Sequence, residues 1–256
     1  HGIPYVLEEQ NSYPGLTMRF FARRAREIYL GYPEAQRHMR PGARTTVIDS
    51  GNPIEPPPNP RPDPAEAKRA WGFPANARVL LVFGGSQGAR AINDAVAKWI
   101  ESTTLPPDLH VLWATGKGSF DGFARSESPR IRVRPYIAPM RDAYAATDLA
   151  LARSGATGTA EMCAWGIPSI LVPLPTAAAD HQTVNARALA AAGAAILLTQ
   201  SELSASTLDA NVRGILTDPP RLAALARGAL ARARPAAAET IARRIIELVD
   251  SESAAP

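Results

Sequence analysis

The segment Arg78-Val-Leu-Leu-Val-Phe83 limits the fold more than any other feature of this 256-residue chain. It is apolar at consecutive positions, so a strand built from it must be buried on both faces. Its length is that of a buried strand. Residues 109–114, 131–134, 148–151, 167–172 and 194–198 are further strand candidates, most of them nearly as apolar, with helical spacing of apolar residues between them. Apolar strands alternating with amphipathic helices predict an α/β fold whose parallel sheet is covered by helices on both faces. No stretch reaches the ~20 apolar residues that a membrane-crossing helix needs.

A second constraint is the run from Pro53 to Pro64, which holds seven prolines and no apolar periodicity. Proline fixes φ and removes a donor, so residues 53–64 form a stiff extended connector and mark a domain boundary. Before it, residues 1–50 read as strand (Ile3–Leu7), an Asn11–Gly15 turn, a helix carrying Leu16, Phe20, Arg23, Arg24 and Ala25, then strand, short helix and strand. Three strands alone would leave an open edge and an uncovered face. With His1 at the start and a strand almost at once, the expectation is a first domain that lacks upstream strands. From Pro219 onward the chain is Ala/Arg-rich, with Ile241, Ile245 and Leu248 at helical spacing, which predicts a surface helix pair with a solvated arginine face. The expected units are 1–52, the connector 53–64, 65–234, and a helix over 235–256 that packs back toward the first unit.

A hydrophobic fraction of 46% with 20% charged residues suits a soluble globular chain. The single cysteine, Cys163, excludes a disulfide framework and lies in an apolar helical pattern, as a small buried hydrophobe does. A net charge of +4 permits contact with phosphates or anionic lipid headgroups, and no nucleic-acid partner is expected. The arginines at 19, 23, 24 and 26 suit a solvated helix face or, alternatively, a phosphate or membrane contact. No carboxylate or histidine cluster has metal-ligand spacing, so no metal is expected.

The motif Val82-Phe-Gly-Gly-Ser-Gln-Gly-Ala-Arg90 leaves a strand and enters a helix near Ala89. Glycines let the backbone turn sharply, and the helix start behind them offers free N–H groups to an anion. Ser86 adds a hydroxyl, giving chemistry suited to a diphosphate. The same residues satisfy G-x-S-x-G, which would make Ser86 a hydrolase nucleophile with Asp148 and His181 as later partners, or His110 as the other downstream histidine.

Further motifs follow in order: Arg153-Ser-Gly-Ala-Thr157, Ala160-Glu161, Gly166-Ile-Pro168, Leu171-Val-Pro-Leu-Pro175 and Asp180-His-Gln-Thr-Val-Asn-Ala186. Upstream stand Glu9-Gln-Asn11, Pro14-Gly15 and Gly51-Asn-Pro53. Together with Gly84-Gly-Ser-Gln-Gly-Ala-Arg90 and Asn93, these resemble the MurG-type transferases of glycosyltransferase family 28 over essentially the whole chain.

That resemblance implies a GT-B fold of two Rossmann-like domains, the N-terminal one incomplete here. Residues 1–52 would be the remnant of the acceptor domain and 65–234 the UDP-GlcNAc donor domain. Family members transfer N-acetylglucosamine from UDP-GlcNAc to the C4 hydroxyl of N-acetylmuramic acid in lipid I, inverting the anomeric centre and giving lipid II for peptidoglycan. They work without a metal or cofactor, peripherally on the cytoplasmic face of the bacterial inner membrane.

The implied site residues fit those roles. Ser86, Gln87 and Gly88, with Ser154, Gly155 and Ala156, would put two helix starts on the diphosphate, stabilising the departing UDP. Glu161 would accept hydrogen bonds from the ribose hydroxyls, and the backbone at Ile137 would read uracil. His181 and Gln182 would bind GlcNAc hydroxyls, with Asp180 as a helix cap, and Asn11 would face the sugar across the cleft.

Three departures stand out. The family's N-terminal glycine-rich loop ending in histidine is absent, so the catalytic base is unknown. Glu55 replaces the arginine usual after the linker's Asn-Pro, and Glu8 replaces the histidine before Glu-Gln-Asn. Another glycolipid acceptor, or a non-catalytic UDP-sugar binding fragment, remain alternatives, as does the Ser86 hydrolase.

Overall fold

The structure, a computed structural model, describes residues 3–253. Its first part is a three-stranded parallel sheet in the order β1 (Leu7–Glu9), β2 (Glu27–Leu30), β3 (Thr46–Ile48). Helix α1 (Leu16–Phe21) joins β1 to β2, and a 3₁₀ turn over Pro33–His38 joins β2 to β3. The strand expected at Ile3–Leu7 runs instead from Leu7 to Glu9. Ile3 is exposed and Pro4 has no N–H to donate, so pairing begins only where Arg26 N reaches Tyr5 O at 2.9 Å.

The prolines lead to α2 (Pro64–Ala70), which starts where Asp63 accepts the Ala65 N–H and proline takes the first helical position. Strand–helix units then follow: β4 (Arg78–Phe83), α3 (Arg90–Ser102), β5 (Leu109–Ala114), a short α4 (Phe120–Phe123), β6 (Ile131–Arg134) and α5 (Met140–Ala146). Next come β7 (Leu149–Ala152), α6 (Ala156–Trp165), β8 (Ser169–Leu171), α7 (His181–Ala191) and β9 (Ala195–Leu197), then α8 (Ala205–Leu216), α9 (Pro219–Arg232) and α10 (Ala237–Ser253). All six strands are parallel, in the order β6-β5-β4-β7-β8-β9, so the chain reverses direction across the sheet between β4 and β7. Such a switch point opens a crevice at the carboxyl edge of the strands.

Successive residues of β4 feed opposite cores, as strand geometry requires. Leu81 and Phe83 pack with Phe73, Leu112, Met162 and Ile167, whereas Leu80 and Val82 pack with Trp99, Trp113 and Leu151. Both faces of the sheet are therefore apolar and covered, as the sequence pattern requires. Cys163 lies in the first of these cores, and burial pushes its thiol up to about 12, which makes it an inert hydrophobe.

The C-terminal helices do not present a purely solvated arginine face. Arg232 makes a two-pronged bond to Glu34 at 2.9 Å for each prong, Arg234 pairs with Asp49 at 2.7 Å, and Arg244 of α10 pairs with Glu27 of β2. Carboxylates on and beside the small sheet, one of them buried, need countercharges, and the arginines supply them.

Candidate functional site

The loop after β4 is tight because three of its backbone positions admit no side chain. A Cβ on Gly84 would lie 2.3 Å from Ala89 N, and one on Gly88 would lie 2.1 Å from Thr115 O. Gly85 and Gly88 also hold φ values of 86° and 76°, the left-handed region that glycine enters freely. Ser86 and Gln87 are exposed at the loop's crest, and Ala89 caps α3 without a side-chain bond.

Strand β7 lies beside β4 with Ala152 opposite Phe83, so the loop after β7 emerges next to the glycine loop. There Gly155 caps α6, again with no side-chain bond to its first N–H groups, and a Cβ on Gly155 would meet nothing within 4 Å. Two helix N-termini thus open side by side at one sheet edge, each with free amides and the positive end of its dipole. Ser154 takes a supporting part through its side chain: it is fully buried, and its hydroxyl donates to Gln182 O at 2.8 Å.

That bond ties α7 to the same edge. Gln182 also accepts the Leu174 N–H at 3.0 Å through Oε1, which leaves its amide hydrogens for a ligand. A cavity of about 570 Å³ is lined by Gly84, Gly88, Arg153, Leu174, Gln182 and Gln200, so the loops after β4, β7 and β8 share one space, whereas Asn11, Ile137, Gly155, Glu161 and His181 do not line it. Arg153 donates to Val172 O, Pro173 O and Gln200 Oε1 at 3.1, 2.9 and 2.7 Å. Burial holds its guanidinium below the usual arginine value, and it has no carboxylate partner among the described residues. A half-buried cation without an anion beside two helix starts favours an anionic ligand.

Glu161 lies on the second turn of α6, half-buried, where the Tyr144 hydroxyl donates to its Oε2 at 2.7 Å. Burial and then the Glu161 charge raise the Tyr144 phenol well above its ordinary value, so it remains a donor. Oε1 of Glu161 carries no hydrogen bond among the described residues. The Ile137 side chain is buried in the core, leaving only its backbone at the sheet edge, after β6. His181 opens α7 with Nδ1 2.8 Å from Ala178 O.

Asp180 occupies the cap position of α7 but does not cap it. Its backbone and that of Ala179 sit in the left-handed region, at φ 52° and 51°, and its carboxylate accepts from the Thr183 hydroxyl at 2.5 Å instead of a backbone amide. Two consecutive non-glycine residues in that region cost about 1–2 kcal/mol each. Asn11 reaches this place from the small sheet, but its side-chain oxygen is not free: Asn185 Nδ2 donates to it at 3.1 Å. Asn185 is fully buried, also donates to Ser154 O at 3.2 Å, and accepts the Ser12 N–H and hydroxyl, each at 2.8 Å.

The sequence reading assigned no role to Arg153, Asn185 or Gln200. The first two stood inside quoted motifs, and Asn185 lies one turn below His181 and Gln182 on the same helix. Nothing local marked Gln200.

Ser86 cannot head a hydrolytic triad. Asp148 precedes β7 and so lies at the opposite sheet edge, about 13 Å of strand away. Its carboxylate is held by Lys68 at 2.8 Å and Val79 N at 2.7 Å. His110, near the start of β5, is buried against Phe73. Glu55 is exposed, pairs with Arg141 at 3.2 Å, and does not line the cavity. Glu8 keeps one buried carboxylate oxygen without a partner, and burial raises its pKa.

Two parallel sheets, joined by a proline-rich connector and by hydrogen bonds that meet at a nest of helix starts, define a GT-B-type α/β chain. Residues 79–241 match the glycosyltransferase family 28 C-terminal domain. The chain belongs to the MurG-type members of that family. It is 43% identical over 251 residues to the UDP-N-acetylglucosamine–N-acetylmuramyl-(pentapeptide) pyrophosphoryl-undecaprenol N-acetylglucosamine transferase of Salinibacter ruber, covering 97% of this chain and 66% of that protein. The crystal structure of Acinetobacter baumannii MurG superposes with a TM-score of 0.75 at 27% identity, over 96% of this chain and 67% of that one. The S. aureus MnaA–UDP co-structure shares the fold at 13% identity, with a TM-score of 0.68 over 99% of this chain and 72% of that one.

Proposed function

We propose that this chain carries the donor half of an inverting N-acetylglucosaminyltransferase, binding UDP-GlcNAc for transfer to the C4 hydroxyl of the muramyl sugar in lipid I, with lipid II as product. The observation that carries the reading is the pairing of Phe83 with Ala152, which sets the helix starts at Ala89 and Gly155 side by side. In this reading their amides and Arg153 hold the diphosphate, Glu161 Oε1 accepts from a ribose hydroxyl, and the Gln182 amide meets the sugar. As the glycosidic bond breaks, negative charge grows on the departing UDP, and fixed amide dipoles stabilise that charge more than the ground state. Residues 65–234 form the donor unit. The acceptor hydroxyl attacks from the face opposite UDP, and the group that takes its proton is not assigned to this chain.

The same reading places the chain peripherally on the cytoplasmic face of the membrane. Its support is α1, where Leu16 and Phe20 are 78% and 80% exposed beside the exposed Arg23 and Arg24, an apolar patch with cationic neighbours suited to anionic lipid. Among the described residues no helix is long and apolar enough to cross a membrane. Because Glu8 stands where a histidine is usual and no base is assigned, a second reading is a UDP-sugar binding unit without transfer activity of its own.

Calorimetric titration with UDP-GlcNAc and UDP-galactose tests the donor site. We expect UDP-GlcNAc to bind and Glu161→Ala to weaken it about tenfold or more, since a lost hydrogen bond to a charged acceptor costs about 1.5–3 kcal/mol. No binding of either nucleotide sugar, or unchanged affinity in Glu161→Ala, refutes the assignment.

A further inference from the structure

Beside the donor cavity lies a second groove of about 610 Å³ between α7 and the segments that follow β1 and β2. Val184, Arg187, Ala188 and Ala191 form its α7 wall, one helical turn and more beyond His181. Tyr13, Arg37 and His38 form the other wall, with the Tyr13 and His38 rings 4.8 Å apart. The alanines leave room along the helix for a backbone to lie close. The charge is cationic: Arg37 and Arg187 are exposed and form no ion pair among the described residues, although Arg37 donates through Nε to His38 Nε2 at 3.1 Å and its charge is felt at Glu34. Glu34 also lines the groove, but its charge is taken by Arg232 at 2.9 Å. Arg19 lies over the Tyr13 ring at 5.4 Å, adding a further cation behind that wall.

We propose that this groove binds the anionic peptide of the acceptor, an inference that rests on the donor and acceptor reading above. In a muramyl acceptor the peptide hangs from the sugar carbon next to the reacting C4 hydroxyl, so any peptide site must begin at the reaction centre. This groove starts at Val184, two positions along α7 from Gln182, whose amide meets the sugar in that reading. From Val184 to Ala192 it follows α7 for about 12 Å, and an extended residue spans at most ~3.6 Å, so three or four residues fit along it. A peptide joined through its amino end finishes in a free carboxylate, and Arg37 and Arg187 offer forked donors that match such a group.

The test titrates this chain, saturated with UDP, with water-soluble N-acetylmuramyl-pentapeptide, with N-acetylmuramic acid, and with the free pentapeptide. The peptide-bearing sugar is expected to bind at least tenfold tighter than either part. The double variant Arg37→Glu/Arg187→Glu should bring it within twofold of N-acetylmuramic acid, while Arg37→Lys/Arg187→Lys keeps most of the difference. UDP-GlcNAc affinity should stay within twofold in both variants, which reports an intact fold and donor site. Equal binding with and without the peptide, or indifference to charge reversal while UDP-GlcNAc still binds, overturns the groove and leaves the donor reading standing. Free pentapeptide binding as tightly as the muramyl form also overturns it, by making the groove a general anion site. Loss of UDP-GlcNAc binding in the unaltered chain would remove the donor reading and the groove's assignment together.

Discussion

In the six-stranded sheet the strand interiors are sealed by helices on both faces, and Leu80, Leu81, Leu112 and Leu149 have no exposed surface at all. The three-stranded sheet is different. Only β2 is buried along its whole length, α1 leaves Leu16 and Phe20 in solvent, and the sheet is tied to the rest by Glu27–Arg244, Glu34–Arg232 and Asp49–Arg234. Apolar burial is nearly indifferent to pH, whereas ion pairs are sensitive to pH and are screened by salt. One half of the molecule is thus held by its own large core, and the other, with only a small cluster around Ile28 and Leu30 and with Tyr32 set in the larger core, relies more on charge and hydrogen bonds.

The largest effect should come from cutting the self-supporting half. Leu81→Ala removes a fully buried side chain from a packed core and should cost about 2–5 kcal/mol. Denaturant unfolding should show that loss unchanged between pH 5 and pH 8. A cost below about 1 kcal/mol, or a marked pH dependence, would mean that the large sheet is not held as described.

Arg244→Ala probes the other half and should cost about 2–3 kcal/mol, because it leaves Glu27 buried without its countercharge, though the partly exposed arginine moderates the penalty. Hydrogen exchange should quicken over β1–β3 and stay slow over β4–β9. The acid side sharpens the contrast. Burial alone would raise Glu27 and Glu34, but bonds from Arg244 and Arg232 outweigh it and hold both carboxyls below the ordinary glutamate range. Their stabilisation is therefore complete above about pH 4.5 and is lost as pH falls through the depressed native values. Exchange in the small sheet should accelerate first on acidification, and Arg244→Ala should remove much of that response.

Legibility divides along the same line. β4 and β5 fall on the residues that the apolar runs mark, because strands buried on both faces announce themselves in composition, while the edge strand β6, Ile-Arg-Val-Arg, shows only an alternation. β8 shrinks from the expected 167–172 to 169–171, since Pro168 has no N–H and the Ile167 N–H turns back to Met162 O. In the small sheet the first strand lies later than the Ile3–Leu7 pattern predicts, and the arginines of α9 and α10 look solvated in sequence because their partners lie some 200 positions away. The site shows the same split. The glycine loop and the Gly155 turn are legible because local backbone geometry dictates glycine, but the bonds of Asn185 to Asn11 and Ser12 exist only once both halves have met.

Asn185→Ala tests that meeting point directly. It strands the buried Ser12 N–H and leaves Ser154 O without its side-chain donor, which should cost about 1–3 kcal/mol. Because Ser154 directly precedes the Gly155 cap of α6, UDP-GlcNAc affinity should fall several-fold as well. Lost stability with unchanged nucleotide affinity would show that the halves are joined here without any influence on the site.

The smallest effect should come from Glu55→Arg in the connector, which belongs to neither sheet. Both members of the Glu55–Arg141 pair are more than half exposed, so the pair contributes little and its loss should change stability by less than about 1 kcal/mol. A carboxylate in place of the family's usual arginine would repel a diphosphate that lay close to it. Paired with Arg141 and outside the cavity lining, it should have no such reach at physiological salt, where screening acts over about 8 Å. UDP-GlcNAc affinity in Glu55→Arg should accordingly remain within twofold at 0.15 M salt. A tenfold gain would mean that the connector's charge is felt at the helix starts, and the site would then depend on the connector as well as on the two sheets.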